Sequence, residues 1–520
     1  MTVRLRLLPL HSAWLLAAFG WLAALAWVRP LSLPDEGRYA GVAWEMVQTG
    51  HWLTPTLDGL PFFHKPPLFY WITGASLELF GPMQFAARLA PLLGAFAVAV
   101  ALFLFVRRWV GESTAKGALL ALVTQPLFFM SAQFANLDML VAGCIAVTTL
   151  SWAGGALAEP MNERRRSLAI GYLFAALGVL AKGLIGVVLP ALVIAVWLVL
   201  QRRTRTLARL LWLPGIVLFL GVAAPWFVAM QLRFPDFAHY FFVVQHFQRF
   251  AEGGFNNTQP FWFYPAVIAL LALPWTVWLL GAGRRPYWSD PARGAIRKLM
   301  WIWLIAITLF FSLPQSKLVG YILPALVPLA FLAADAADVM VARSGVYRRL
   351  WRFSGGLAAI ACVASAAAAA LLIAYPQRDL GRVLLAKIAP GDQVIFVGNY
   401  YFALPFYAQL PSPVTVVAEW DTRGAQRDNW RKELLDARRF APLSASLIPP
   451  QAFEAKVCAA VASWVVGGRS TPLDYPLLVR AEQVAASGDI VLWHVPARAA
   501  GSVNAPGCPG MPSANSINKS

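Results

Sequence analysis

Charge is scarce in this chain, and negative charge scarcest of all. Only 13% of its 520 residues are charged, with 25 acidic against 43 basic. So few ionised groups cannot solvate the surface of a soluble protein of this length, since 59% of the residues are hydrophobic and mean hydropathy is +0.60. Four cysteines are too few for a disulfide-stapled scaffold. The GxxxxGK[ST] spacing of a phosphate loop is missing, so the glycines of "GVLAKGLIG" (Gly178, Gly183, Gly186) read as points of close helix packing. No internal repeat is visible, which argues against a duplicated transporter or flippase.

What is present is a succession of long apolar runs. A bilayer crossing takes about 20 mostly apolar residues, and about eleven such segments can be drawn. They fall near 11–29, 85–106, 117–134, 137–157, 168–181, 183–200, 210–231, 261–283, 299–313, 319–340 and 353–375. The first, behind Arg4 and Arg6, has the basic start of a signal peptide but reads as an uncleaved first span. The expected fold is an all-α polytopic membrane protein of about 11–13 transmembrane helices, with a small C-terminal α/β domain. The expected divisions are a membrane domain over 1–375, an α/β domain over 376–500, and a disordered Gly/Pro/Ser/Asn-rich tail over 501–520.

The basic residues set the orientation. Arg107, Arg108, Arg164 to Arg166, Arg202, Arg203, Arg284, Arg285, Arg293, Arg297, Arg348 and Arg349 all fall in alternate loops on the side of the N-terminus. The positive-inside rule makes that side cytoplasmic and puts the C-terminal domain in the periplasm. The net charge of +18 is therefore a topology signal. Dispersed among apolar spans, it does not indicate nucleic-acid binding. Cys144 and Cys362 fall inside spans as packing residues, whereas Cys458 and Cys508 face an oxidising compartment in which they are either free or paired.

With the topology charges set aside, a short set of outward groups is left. Asp35, Glu36, Arg38, His64 and Lys65 lie in the first outer loop, with Asp138, Lys182, His246, Arg249 and Lys317 at later outer helix ends. Charge beside hydrocarbon is costly, so such groups pair, face a cavity or serve function. Cations outnumber carboxylates here, and an anionic ligand would balance them. The loop also carries "GRYAGVAWEMVQTG", an amphipathic segment with Ala40, Ala43, Trp44 and Val47 at helical spacing, expected to lie along the interface. Phe62, Phe63, Phe69, Tyr70 and Trp71 read as headgroup-level aromatics, and Pro66-Pro67 stiffens the chain after Lys65.

At "DEGRYAGVAWEMVQTGHWLTP", "FHKPPLFYW", "FAARL", "LAKGLIG", "HFQRF", "QPFWFY" and "SKLVGYILPALVPLA" the sequence resembles the bacterial polyprenyl-phosphate-dependent glycosyltransferases of the membrane-embedded C-type fold. Within them it is similar to the lipid A aminoarabinose transferases, themselves related to protein O-mannosyltransferases. The resemblance implies catalytic carboxylates at Asp35, Glu36 and Asp138. It implies donor-phosphate contacts at Arg38, Lys65, Lys182, Lys317 and Tyr321. His64 and His246 become candidate contacts for a phosphate or a divalent cation, the one cofactor in question. The sequence departs from the family in having His64 where Glu precedes the lysine, and Gln245 where Glu often precedes His246. The implied partners are an undecaprenyl phosphate-sugar donor, an acceptor that is lipid A or another envelope glycan, and the lipids of the inner membrane.

One positioned carboxylate, rather than a close pair, points to a single inverting displacement. The competing readings are a protein O-mannosyltransferase-like enzyme, a lipid-linked substrate flippase, and a regulatory lipid-binding protein.

Overall fold

The computed structural model describes residues 10–497 other than 33, 249–256, 412, 423, 426–428, 443 and 460. Two compact units emerge, Met1–Arg29 with Phe63–Ile373, and Pro30–Phe62 with Ala374–Ser520.

The first unit is helical because an apolar backbone shielded from water must satisfy its own polar groups. Among the described residues six helices are long and apolar enough to cross a membrane: Leu89–Trp109, Leu137–Leu157, Leu213–Arg233, Pro291–Ser312, Val319–Val341 and Gly345–Leu371. Two bent pairs, Glu112–Val123 with Pro126–Ala132 and Phe263–Leu271 with Trp275–Gly283, bring the number to eight. Each bend has a proline, Pro126 or Pro274, at the start of its second arm, where the missing N–H breaks the ladder. Shorter apolar helices, Ser12–Ala23, Leu68–Phe80 and Ile185–Leu200, complete the set. Every predicted segment thus overlaps a helix or bent pair, with 168–181 forming the apolar end of Met161–Lys182 and residues 24–29 of the first segment lying in turns beyond its helix. Helix Leu68–Phe80 was not anticipated, because Phe69 and Tyr70 read as headgroup aromatics; both are buried, as are Phe62 and Phe63.

Leu137–Leu157 is the inner helix, packed between Leu89–Trp109 and Met161–Lys182. A Cβ on Gly186 would fall 2.3 Å from the Gly178 carbonyl carbon, so these two glycines do permit close helix approach. Gly183 serves otherwise: at φ +87° it ends helix Met161–Lys182.

Helices Pro291–Ser312 and Leu326–Val341 are joined by an ion cluster. Asp335, fully buried, accepts from Arg297 Nε at 2.5 Å and Nη2 at 3.1 Å, and from Arg293 Nη1 at 2.7 Å. Arg297 also lies 4.1 Å from the Tyr287 ring centroid. Two arginines that counted as topology charges in the sequence are therefore half of a buried cluster.

In the second unit a hairpin, β1 (Thr56–Leu57) and β2 (Leu60–Pro61), precedes a six-stranded sheet. Its strands are β3 (Gln393–Val397), β4 (Thr415–Val417), β5 (Leu447–Ile448), β6 (Ser463–Gly468), β7 (Glu482–Ser487) and β8 (Ile490–Val495). The order is β5-β4-β3-β6-β8-β7. The first four run parallel; β8 and β7 pair antiparallel. The parallel strands are apolar on both faces, as a sheet covered on both sides requires, and Ile395, Val397, Val417, Phe453, Val465 and Trp493 form the core. Strands β3, β4 and β8 fall within the stretches "DQVIFVGNYYFALPFYAQL", "PVTVVAEWD" and "GDIVLWHVP", whose β-branched and aromatic residues read as strand-forming in the sequence.

The amphipathic segment of the first outer loop is helix Asp35–Thr49. Its apolar face packs on protein of its own unit rather than being left for lipid headgroups. Trp44 meets Phe406 edge-on at 6.4 Å and donates from Nε1 to the Leu410 carbonyl at 3.2 Å. Residues 30–62, expected within the membrane domain, accordingly group with the C-terminal chain. Cys458 is disulfide-bonded, while Cys508 and the predicted tail 501–520 lie outside the described residues.

Candidate active site

In the first unit, the site is assembled where three helix ends meet. Asn136 caps helix Leu137–Leu157: its Oδ1 accepts from the Asp138 N–H at 3.0 Å and its Nδ2 donates to Asp138 Oδ2 at 3.3 Å. Asp138 is thereby fixed in the first turn, where the helix dipole favours a carboxylate. Lys182, the last residue of Met161–Lys182, donates its ammonium to Asp138 Oδ1. The same ammonium lies 4.3 Å from the centroid of Tyr321. Tyr321 stands on the 3-10 turn Val319–Ala325 and packs on Phe311 at 5.7 Å. A Cβ on Gly320 would come 2.3 Å from Asp138 Oδ2, so only glycine lets this turn approach the carboxylate. Tyr264 holds the turn from behind, its hydroxyl donating to the Leu318 carbonyl at 2.9 Å.

Three residues from separate parts of the sequence, Asp138, Lys182 and Tyr321, are thus in one place. Their side chains are nearly buried, with Lys182 13% and Asp138 11% exposed. An ion pair at this depth is desolvated enough to hold its geometry, while a small part of each side chain stays exposed.

Lys317 is differently placed. Its ammonium donates to the carbonyls of Gln259 and Pro314 and is 3% exposed, so it ties two loops together instead of presenting a charge to a ligand. His64 and Lys65 are half-buried in the turn ahead of Leu68–Phe80. His64 Nε2 lies 3.2 Å from the Tyr240 hydroxyl. His246 belongs to the π-helix His239–Gln248, but its side chain, like Arg249, is outside the described residues.

In the second unit, Asp35 and Glu36 open helix Asp35–Thr49. Asp35 is 38% exposed and bridges to Arg38 at 3.3 Å. Glu36 is fully buried, with Oε2 accepting from the Ser32 N–H at 2.7 Å, the arrangement of a structural carboxylate that closes the turn before the helix. Arg38 pairs with Glu433 at 2.8 Å and lies 5.0 Å from the Phe402 ring centroid. Its guanidinium is therefore committed to carboxylates and an aromatic face of the same unit. Among the described residues no three His, Cys, Asp or Glu side chains gather into a metal site.

Sequence reasoning did not single out Asn136, Gly320, Tyr264 or Glu433. Asn136 had a signal, an Asn directly ahead of an apolar run. Glu433, nearly four hundred residues from Arg38 in sequence, had none.

The undecaprenyl phosphate-alpha-4-amino-4-deoxy-L-arabinose arabinosyl transferase of Aeromonas salmonicida is 34% identical over 74% of this chain and 69% of its own length. The chain belongs to this family. The Yersinia enterocolitica member is 31% identical over 74% of the chain and 71% of its own length, and the Erwinia tasmaniensis member 34% over 61% and 58%. The family profile of the dolichyl-phosphate-mannose-protein mannosyltransferases matches residues 64–228. Among solved structures, ArnT from Cupriavidus metallidurans bound to undecaprenyl phosphate aligns with a TM-score of 0.78 and 25% identity, over 93% of this chain and 97% of that one. The archaeal oligosaccharyltransferase AglB from Archaeoglobus fulgidus, at 12% identity and TM-score 0.51, shares the fold alone.

Proposed function

We propose that this chain is a multi-pass inner-membrane glycosyltransferase that moves 4-amino-4-deoxy-L-arabinose from undecaprenyl phosphate to a phosphate of lipid A at the periplasmic face. The observation that carries the reading is the likeness, over nearly the whole of both chains, to ArnT holding undecaprenyl phosphate. The Asp138–Lys182–Tyr321 group adds chemical support, because it holds an ammonium in a fixed position of the kind a lipid-borne phosphate requires.

In the proposed reaction, an acceptor phosphate oxygen attacks the anomeric carbon from the face opposite the donor phosphate. The bond from that carbon to the donor phosphate oxygen breaks, and its electron pair leaves with undecaprenyl phosphate. Charge grows on the leaving oxygen, and Lys182 and Lys65 lower the barrier by meeting it with fixed positive charge. Asp138 keeps Lys182 aimed, and Tyr321 supplies an aromatic floor beneath the ammonium. The acceptor phosphate is already ionised near neutral pH, so the role that the family resemblance gives Asp35 is to orient it and offset the cationic amino sugar. With a hydroxyl acceptor Asp35 would instead take the proton. One displacement inverts the anomeric configuration.

The profile match over residues 64–228 favours one second reading, transfer of a hexose to a protein hydroxyl. Mass spectrometry of lipid A and envelope proteins from cells with and without the chain separates the two. Aminopentose on lipid A phosphate is the expected outcome; unchanged lipid A with a lost protein hexose would replace the first reading by the second. Asp35→Asn should lower the modification by about a hundredfold or more while the chain accumulates normally.

A further inference from the structure

The turn that carries Lys65 is held at its other side by groups the proposed reaction does not use. Phe63 packs edge-on against Phe234 at 4.9 Å and Phe237 at 5.1 Å. His64 sets its Nε2 3.2 Å from the Tyr240 hydroxyl, and Gln245 Nε2 donates to the same hydroxyl at 2.8 Å. Tyr240 is 2% exposed, and both it and Gln245 belong to the π-helix His239–Gln248. A π-helix is wider and rarer than an α-helix and recurs at functional sites. Here the wider turn lets residues five apart, Tyr240 and Gln245, share one hydroxyl. His64 and Gln245 are the two ends of this relay, with the Tyr240 hydroxyl between them.

Building on the functional reading above, we propose that Tyr240 is a positioning residue. Through the His64–Tyr240–Gln245 relay it locks the Lys65 turn to the π-helix, and so sets the ammonium of Lys65 where the donor phosphate binds. Phe63 anchors the backbone on one side of Lys65, Pro66 and Pro67 stiffen the other, and the relay fixes the remaining rotation of the turn. The wide turn of the π-helix presents Tyr240 and Gln245 together. A phosphate contact requires such support, since a point-charge lysine on a flexible stem gains little unless its base is held.

The test measures binding of undecaprenyl phosphate to the purified full-length chain in lipid nanodiscs, together with melting temperature. Tyr240→Phe keeps the packed ring and removes both hydrogen bonds. It should weaken binding by about fivefold to tenfold. Gln245→Leu, which leaves the ring and hydroxyl in place, should weaken it by a smaller factor in the same direction. In a Lys65→Met background Tyr240→Phe should have no further effect, because the relay acts through Lys65. Tyr240→Phe binding as tightly as the unaltered chain, or weakening binding equally in both backgrounds, would overturn the proposal. If the unaltered chain binds no undecaprenyl phosphate, the functional reading falls and the relay with it; if it binds and the variants bind alike, the relay alone falls.

Discussion

Asp138 shows how a single carboxylate is given a task by its surroundings. Asn136 fixes its backbone and one oxygen, Lys182 takes the other oxygen, and Gly320 leaves room for both. The charged members were legible in the sequence because ionised groups at apolar helix ends stand out. Gly320 was not, since nothing local distinguishes a glycine that yields space to a residue far away in the chain. Its substitution is correspondingly informative. Gly320→Ala places a methyl group against Asp138 Oδ2, which must then move or push the Tyr321 turn away, at a cost of about 1–3 kcal/mol. Donor binding should fall as Lys182 and Tyr321 separate, and a titration of the purified variant with undecaprenyl phosphate would detect it. Unchanged affinity would show that the turn absorbs the methyl without disturbing the pair.

At the scale of elements, the apolar runs were legible and their partners were not. Hydropathy marked both arms of Phe263–Leu271 with Trp275–Gly283 as one run, yet the pair is bent by 99°. Helix Asp35–Thr49 was likewise marked amphipathic, but its periodicity does not reveal whether lipid or protein covers the apolar face. The ion cluster joining Pro291–Ser312 to Leu326–Val341 escaped for a related reason: Arg293 and Arg297 are indistinguishable in sequence from loop charges that obey the positive-inside rule. Its energetics can be tested by removing one side and then both. Arg297→Met leaves the Asp335 carboxylate buried with Arg293 as its remaining partner and should destabilise the chain by about 3–5 kcal/mol. Adding Asp335→Leu should recover most of that loss, since a buried pair replaced by apolar groups is often nearly neutral. Thermal unfolding in detergent, compared across the three chains, reads both effects.

At the scale of the molecule, the second unit carries its own pH dependence. Glu45 accepts from the N–H groups of Asp58 at 2.6 Å and Gly59 at 3.0 Å, and burial pushes its carboxyl from 4.5 up to about 7. Asp58, buried and accepting from the Val414 N–H at 2.9 Å, is also raised, by burial first and by the Glu45 charge second. Tyr400 and Ser446 are the neighbours from the rest of the unit. A carboxyl whose pKa is raised on folding binds more protons folded than unfolded between its two pKa values. The unit is therefore most stable on the acid side, loses stability as pH rises from about 4.5 to about 7, and changes little from Glu45 above that. Hydrogen exchange of peptides from 35–62, corrected for intrinsic rates, should show faster opening at pH 8 than at pH 5. Glu45→Gln should flatten this slope; an equally steep slope in that variant would remove Glu45 as its source.

The grouping of residues 30–62 with the C-terminal chain also bears on how this protein can be divided. The polypeptide passes from one unit to the other after Arg29, after Phe62 and after Ile373, so the second unit is woven from two stretches, one of them tethered at both ends. A nick beside Ile373 cannot release it. Truncation there would strip Arg38 of Glu433 and uncover the Trp44 face, leaving an orphaned helix within the remaining chain. Exchange of the C-terminal region between relatives would have to carry the 30–62 insert with it, as two segments of one folded unit separated by more than three hundred residues of sequence.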